Sequence, residues 1–277
     1  MNTKAIKAPV QVPHDKGPGE LFFVDIAAST VMVMYTGGDF YRNFCELHGL
    51  ELRAEDHCPV CNSSNIEKLP DGTVIVEAKM WTPFPWDTYV HCHDCDAVCS
   101  IVRPPKKLLE FLYTYCYPNS VNKEPRFFTA FGKEAKITNK SVVDLGGGTG
   151  DLKEYCTKEY TNIDMHSKAD LRINIDGLDD NALNELSSIK KVDVVVCCDL
   201  IEHVLIPENI FKISHQVLKS KGELYLNVGQ FHDEKNLYPF HPPHITSFTR
   251  RTIEKLATSQ GFSIKKQIKN SFILEKK

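Results

Sequence analysis

No stretch of this 277-residue chain approaches 18 consecutive apolar residues, so none has membrane-spanning length. Positive charge is not in excess: 33 Lys and Arg against 36 Asp and Glu leave a formal charge of −3, which argues against a broad electrostatic footprint on nucleic acid or an acidic membrane. Basic residues are scarce between Cys58 and Val102, where only Lys68 and Lys79 occur. No stretch reads as a secretory leader. The most apolar early stretch, Phe22 to Tyr35, is short, is broken by Asp25, and has neither a basic leader nor a cleavage site. It reads as a core or interface strand, and the protein as cytoplasmic.

Two further absences bear on the segment that announces a chemistry, Ser141 to Cys156 (SVVDLGGGTGDLKEYC), whose order is strand, glycine turn, helix. The Lys-Ser/Thr ending of a phosphate-binding loop is missing. So is the third, helix-borne glycine of a dinucleotide turn, because Gly146, Gly148 and Gly150 fall at G-x-G-x-G. Glycines here let the chain reverse through positive φ and let a ligand approach the backbone closely. A carboxylate beside such a turn, Asp144, repels pyrophosphate and suits a ligand bearing an ammonium group. Taken alone, a glycine cluster is weak evidence, since any tight strand-to-helix turn looks similar.

The length and 42% apolar content suffice for a full α/β domain with roughly 100 residues left over for something smaller. Of ten cysteines, Cys58, Cys61, Cys92, Cys95 and Cys99 fall within 42 residues, whereas Cys197 and Cys198 lie in an apolar strand where thiols act as small hydrophobes. Two C-x-x-C turns, Cys58–Cys61 and Cys92–Cys95, flank a strand-rich segment (Thr73 to Ala78, Thr88 to His91), which is the layout of a ribbon closed by one structural zinc. A redox pair is disfavoured by there being two such turns, and an iron–sulfur site would have Cys99 as a spare ligand. His57, His91 and His93 flank the thiols as alternative ligands or as solvated loop residues.

The remaining chain divides as a loose Pro/Gly-rich arm (1–20), an N-terminal region with the ribbon (21–102, ribbon 58–99), linker helices (103–136) and a ligand-binding domain (137–277). Helices are expected over Asp39–Leu50 and Leu108–Tyr115; Tyr113, Tyr115 and Tyr117 either line the site or pack the two domains together. After the glycine turn, Tyr160–Asp164 reads as a second strand ending in an acid 20 residues past Asp144, placed to accept hydrogen bonds from ribose hydroxyls. Asp170–Ile175 reads as a third strand ending at Asp176, with Asp179 and Asp180 close enough for the register to slip. Val192–Cys198 is a strand buried on both faces, followed by Asp199, Glu202 and His203. Pro207 then starts a helix with Ile210, Ile213, Val217 and Leu218 on one face, closed at Lys221–Gly222. Glu223–Val228 is a fifth strand, and Arg250–Gln260 a helix capped by Gly261. Phe262–Ile268 and Ser271–Leu274 form a hairpin turning at Lys269–Asn270.

D-L-G-G-G-T-G at Asp144–Gly150 resembles the first motif of the class I S-adenosylmethionine (SAM) dependent methyltransferases. The order strand, D-x-x-E-H-V, proline, helix, K-G, strand resembles the same class, and a ribbon ahead of it is similar to a group of bacterial enzymes, several of which act on sugars or glycan precursors. The resemblance covers about residues 58–274. It implies a Rossmann-like seven-stranded sheet with a C-terminal antiparallel hairpin, preceded by a small zinc ribbon. It also implies SAM binding by Asp144, Gly146, Gly148, Gly150, Asp164, Asp176 (near the adenine amino group) and Asp199. For an oxygen acceptor, His203 is the first choice of general base and His244 the second, with Glu202 beside them; alternatively Glu202-His203 only shapes the loop and contacts the cofactor.

Asp199, Glu202, His203 and His244 also resemble the E-x-x-E-H plus later histidine that holds a divalent ion, Mg²⁺ or Mn²⁺, in small-RNA 2′-O-methyltransferases, with an aspartate replacing the first glutamate. Three readings of function therefore stand: O-methylation of a small or sugar-like acceptor, RNA methylation, for which the acidic balance is unfavourable, and a SAM-binding scaffold without turnover. Neither the acceptor nor the oligomeric state is legible.

Overall fold

The computed structural model describes residues 10–12, 19–26, 30–36, 49, 53–69, 89–103, 125–165, 168–232 and 244–277. Apart from Gly49, the expected helices at Asp39–Leu50 and Leu108–Tyr115, the strand at Thr73–Ala78 and the three tyrosines lie outside these residues. β1 (Val10–Val12), β2 (Gly19–Ile26) and β3 (Thr30–Thr36) form an antiparallel sheet covering the apolar stretch at Phe22–Tyr35.

The cysteine region is built on β4 (Arg53–Ala54), β5 (Ile66–Lys68), β6 (Tyr89–Cys92), β7 (Val98–Ser100) and β8 (Val102–Arg103), with β4 pairing with β8. Its two cysteine turns repeat one geometry. The amides of Asn62 and Asp96 bond back to the carbonyls of Cys58 and Cys92 at 2.8 and 2.7 Å, and both residues are left-handed, at φ 58° and 66°. Asn and Asp tolerate that conformation better than most side chains.

After helix α1 (Arg126–Phe131) come β9 (Val142–Leu145), β10 (Tyr160–Ile163), α2 (Asp180–Ser188), β11 (Val192–Cys198), α3 (Glu208–Val217), β12 (Leu218–Asn227), β13 (Thr246–Ser247), α4 (Arg250–Ser259), β14 (Phe262–Ile268) and β15 (Ser271–Lys276). The central sheet is mixed, in the order β10-β9-β11-β12-β15-β14. The first four strands are parallel, and β15 and β14 add an antiparallel edge. Period-two alternation sends Val143, Leu145, Val195 and Cys197 to one face, against α3 and α4, and Val142, Val194, Val196 and Tyr225 to the other, against Phe127 and Phe131 of α1. Both faces are covered, which is why these strands read as continuous apolar runs. Removing either buried phenylalanine side chain would cost about 3–5 kcal/mol.

The α/β class, the parallel strands and the closing hairpin follow the sequence reading. Three details differ. Among the described residues the sheet has six strands, because the expected strand at Asp170–Ile175 shrinks to a single bridge between Ile163 and Leu171. The Asp170 carboxylate takes the Asn162 amide at 2.8 Å, and Asn174 Oδ1 accepts the Asp176 amide at 2.9 Å, bending the chain away. The segment after the glycine turn is a short 3₁₀ helix, Asp151–Tyr155, since the next strand begins at Tyr160. Finally, α3 ends at Val217, and Leu218 opens β12, whose register against β11 shifts across Lys219–Gly222. Among the described residues no helix is long and apolar enough to cross a membrane.

Candidate active site and metal centres

The sheet order reverses around β9: the chain passes from β9 to β10 on one side and returns to β11 on the other. In such sheets ligands bind beyond the carboxyl ends of the strands flanking the reversal. Those ends carry the glycine turn and the Asp199–His203 loop.

Gly148, at φ 55°, donates its amide to Asp164 Oδ2 at 2.8 Å, and a Cβ built on it would meet nothing within 4 Å. The turn thus leaves open room beside a carboxylate whose position is set by the turn itself. Gly147, which the motif did not single out, is required for a different reason: a Cβ there would lie 2.5 Å from Asp144 Oδ2 and 2.6 Å from Asn162 Oδ1. Gly146 hydrogen-bonds to the Ile163 carbonyl at 2.8 Å, and Gly150 leads into the 3₁₀ turn. Asp144 is buried and accepts the Tyr160 hydroxyl at 2.9 Å; burial pushes its carboxyl up to about 7 against the pull of that bond.

Asp176 accepts the amides of Leu205 and Ile206 at 2.7 and 3.0 Å, tying the segment after β10 to the loop that follows His203. Asp179 caps α2 by accepting the Ala182 amide at 2.8 Å, which separates these two neighbouring acids by task.

Asp199, at φ 49°, pairs through Oδ2 with Arg126 Nε at 2.9 Å, while its other oxygen is buried without a hydrogen-bond partner. Burial raises its carboxyl and Arg126 opposes that. Arg126 starts α1 and belongs to no motif, so nothing in the sequence pointed to it.

Glu202, His203 and His244 converge. Glu202 is 0% exposed and both carboxylate oxygens lack a hydrogen-bond partner of ordinary geometry; burial, with the charge of Asp199, pushes its carboxyl up to about 8. The Nε2 atoms of His203 and His244 stand 3.9 and 3.8 Å from Glu202 Oε1, too far to hydrogen-bond, and the two rings meet edge-on at 4.5 Å. Two ligands each about 2.1 Å from one ion are separated by roughly 3–4 Å, and one ligand atom from each of the three residues falls within 4.8 Å of the others. Asp199 is not in that group. His244 Nδ1 faces Gln230 Oε1 at 2.9 Å, which directs its Nε2 at the carboxylate. Gly229 makes room for Glu202, since a Cβ there would overlap Oε1. Sequence reasoning missed Gln230 and Gly229, neither of which lies in a recognised pattern.

At the other site Cys58, Cys61, Cys92 and Cys95 form a second group, with Sγ–Sγ separations of 3.7 Å for Cys58–Cys95 and 3.6 Å for Cys61–Cys92. Four thiolates about 2.3 Å from one zinc stand about 3.8 Å apart, so the donor set fits. His57, His91 and His93 instead approach Asp56, Asp96 and Glu67 at 2.8, 2.8 and 3.3 Å.

The methyltransferase domain family matches residues 122–267, more than half of the chain and all of the crevice just described. The chain belongs to this family. Solved structures similar to this chain share little sequence. A SAM-dependent methyltransferase from Clostridium acetobutylicum is 15% identical, with 51% of this chain and 85% of that one covered, at a TM-score of 0.37. An O-methyltransferase family protein from Burkholderia thailandensis is 14% identical, covering 49% and 50%, at 0.37. A chain of the Haloferax volcanii complex between the Trm112 methyltransferase activator and a methyltransferase is 17% identical, covering 47% and 64%, at 0.35. The chain therefore spans less than two thirds of the latter two. No curated protein matches the sequence.

Proposed function

We propose that the chain is a SAM-dependent methyltransferase acting on the oxygen of a small, sugar-like acceptor, with His203, or else His244, receiving the acceptor's proton. The observation that carries this reading is the convergence of Glu202, His203 and His244 at the carboxyl end of β11, beside the glycine crevice. SAM supplies an activated methyl group on a sulfonium centre. The residues suited to hold it are Gly146, Gly148 and Gly150 for close backbone approach, Asp164 for ribose hydroxyls, Asp144 and Asp199 near the charged end, and Asp176 toward the adenine. Methyl transfer depends largely on positioning; His203 and His244 add a proton acceptor at the point where an acceptor hydroxyl would meet the crevice, and the buried Glu202, in its ionised form, stabilises the imidazolium that results.

A second reading is favoured by the orphaned, fully buried carboxylate of Glu202. There Glu202, His203 and His244 hold a divalent ion such as Mg²⁺ or Mn²⁺, which would lower the pKa of a coordinated acceptor hydroxyl. The four cysteines hold a structural zinc in either case. Turnover on an identified acceptor separates the two. With proton transfer alone, His203→Ala should lower kcat about 10²–10⁴-fold while EDTA has no effect. With an ion, all three substitutions should abolish activity, EDTA should inhibit, and Mn²⁺ should restore turnover. Full activity of both His203→Ala and His244→Ala in the presence of EDTA would reject both readings.

A further inference from the structure

The four-cysteine cluster and the Glu202–His203–His244 group are connected by an unbroken chain of backbone hydrogen bonds. β6 ends in Cys92, whose amide bonds to the Ala97 carbonyl at 2.9 Å, and the chain then continues directly into β7. β7 pairs antiparallel with β13, Thr246 opposite Cys99 and Ser247 opposite Val98, so that one four-stranded sheet runs β13-β7-β6-β5. β13 begins two residues after His244. Between them Ile245 is bonded on both sides: its carbonyl accepts the Ser100 amide at 3.0 Å, and its own amide donates to the Glu202 carbonyl at 2.9 Å. A second tie comes from α4, where the Thr252 hydroxyl donates to the Cys95 carbonyl at 2.8 Å.

We infer that the metal held by Cys58, Cys61, Cys92 and Cys95 positions the methyl-transfer centre, so that its occupancy governs turnover as well as the folding of the ribbon. β13 is two residues long and β7 three; strands this short keep their register only through what anchors them. β7 is anchored at its start by the second cysteine turn. Without the ion nothing holds four thiols at mutual contact, the turn loosens, and β7 ceases to be a fixed partner for Ile245. His244 and the Glu202 loop then lose the strand that sets them, while the glycine turn, on the other side of the reversal, keeps its own hydrogen bonds. The inference rests on His244 and Glu202 working at the reacting centre, as proposed above.

The test uses the full chain with its metal, then stripped by a strong zinc chelator and finally reloaded with zinc. Amide hydrogen exchange is followed at residues 245–247, together with SAM affinity and kcat. Exchange at 245–247 should quicken at least tenfold on stripping, kcat should fall at least tenfold, SAM affinity should stay within twofold, and zinc should reverse all three changes. Thr252→Val, which removes the hydroxyl that bonds the Cys95 carbonyl and the Thr249 amide, should quicken the same exchange and lower kcat with the KM for SAM unchanged, and Thr252→Ser, which keeps that hydroxyl, should do neither. Unchanged exchange at 245–247 after complete metal loss overturns the inference, and so does equal loss of protection in β9 and β11, which would make the cluster a global stability element. Zinc-dependent exchange in an enzyme whose His203→Ala and His244→Ala variants are both fully active supports the coupling and removes only the readings that give these two histidines a part in the reaction.

Discussion

Gly229 and Glu202 are packed so closely that a single methyl group on Gly229 would overlap the Glu202 carboxylate. The segment just beyond β12 thereby fixes a buried acid that no hydrogen bond of ordinary geometry holds. Gly229→Ala should displace Glu202 from the two histidines. The expected outcome is a stability loss of about 1–3 kcal/mol, as for other overpacked interiors, measured by urea unfolding, and a larger proportional loss of kcat than of SAM affinity. Wild-type turnover in a folded Gly229→Ala protein would mean that Glu202 does not serve the reaction.

The glycine crevice makes a separable prediction. Asp164→Ala removes the carboxylate proposed to accept the ribose hydroxyls and also the bond from the Gly148 amide, so SAM affinity measured by calorimetry should weaken by about 2–4 kcal/mol. Gly148→Val places a branched side chain into the open space at φ 55° and should abolish binding. Unchanged affinity in both variants would remove SAM from this crevice.

Asp144 links pH to both stability and binding. Its carboxyl is raised from 3.8 to about 7 by burial, so between these values the folded protein retains a proton that the unfolded chain has lost. This contribution to stability is fully present below about pH 4 and is lost as pH rises through 7. Asp144→Asn should therefore flatten the thermal-midpoint profile of the cofactor-free protein across that window. If the ionised carboxylate attracts the ammonium of SAM, affinity should strengthen from pH 6 to pH 8 in the wild type and not in the variant. A wild-type affinity that is flat with pH counts against that contact.

The parts of the fold and site that sequence made legible are those written in local spacing: the glycine turn, Asp164 at the end of β10, Glu202-His203 after β11, and the paired cysteine turns. The missing strand at Asp170–Ile175 was not, because an apolar alternation looks the same whether a strand amide meets a backbone carbonyl or, as at Asn162, the carboxylate of Asp170. Gly229 and Arg126 were hidden for a related reason. What makes each matter is a partner far along the chain, Glu202 for one and Asp199 for the other, and no local pattern encodes such a meeting. The pairing of β7 with β13 across nearly 150 residues likewise belongs to the three-dimensional arrangement, although both of its flanking motifs were visible.

The last prediction concerns Gln230, which is buried and faces His244 Nδ1 at 2.9 Å. A side-chain amide oxygen at that position accepts a hydrogen bond, so it selects the tautomer with the proton on Nδ1 and leaves the Nε2 lone pair directed toward Glu202. Gln230→Leu keeps the volume but removes the acceptor, and should lower kcat about 10- to 100-fold, the usual effect of losing the group that orients a working histidine. Gln230→Glu keeps an acceptor and adds a negative charge, which favours the imidazolium. Its activity at high pH should approach that of the wild type, and the acidic limb of its pH–rate profile should move upward. If His244 instead binds an ion, the same variant should tighten Mn²⁺ binding, read by electron paramagnetic resonance, because the carboxylate makes the ligating nitrogen more basic. Wild-type kcat, pH profile and Mn²⁺ affinity in both Gln230 variants would show that the orientation of His244 has no part in the reaction.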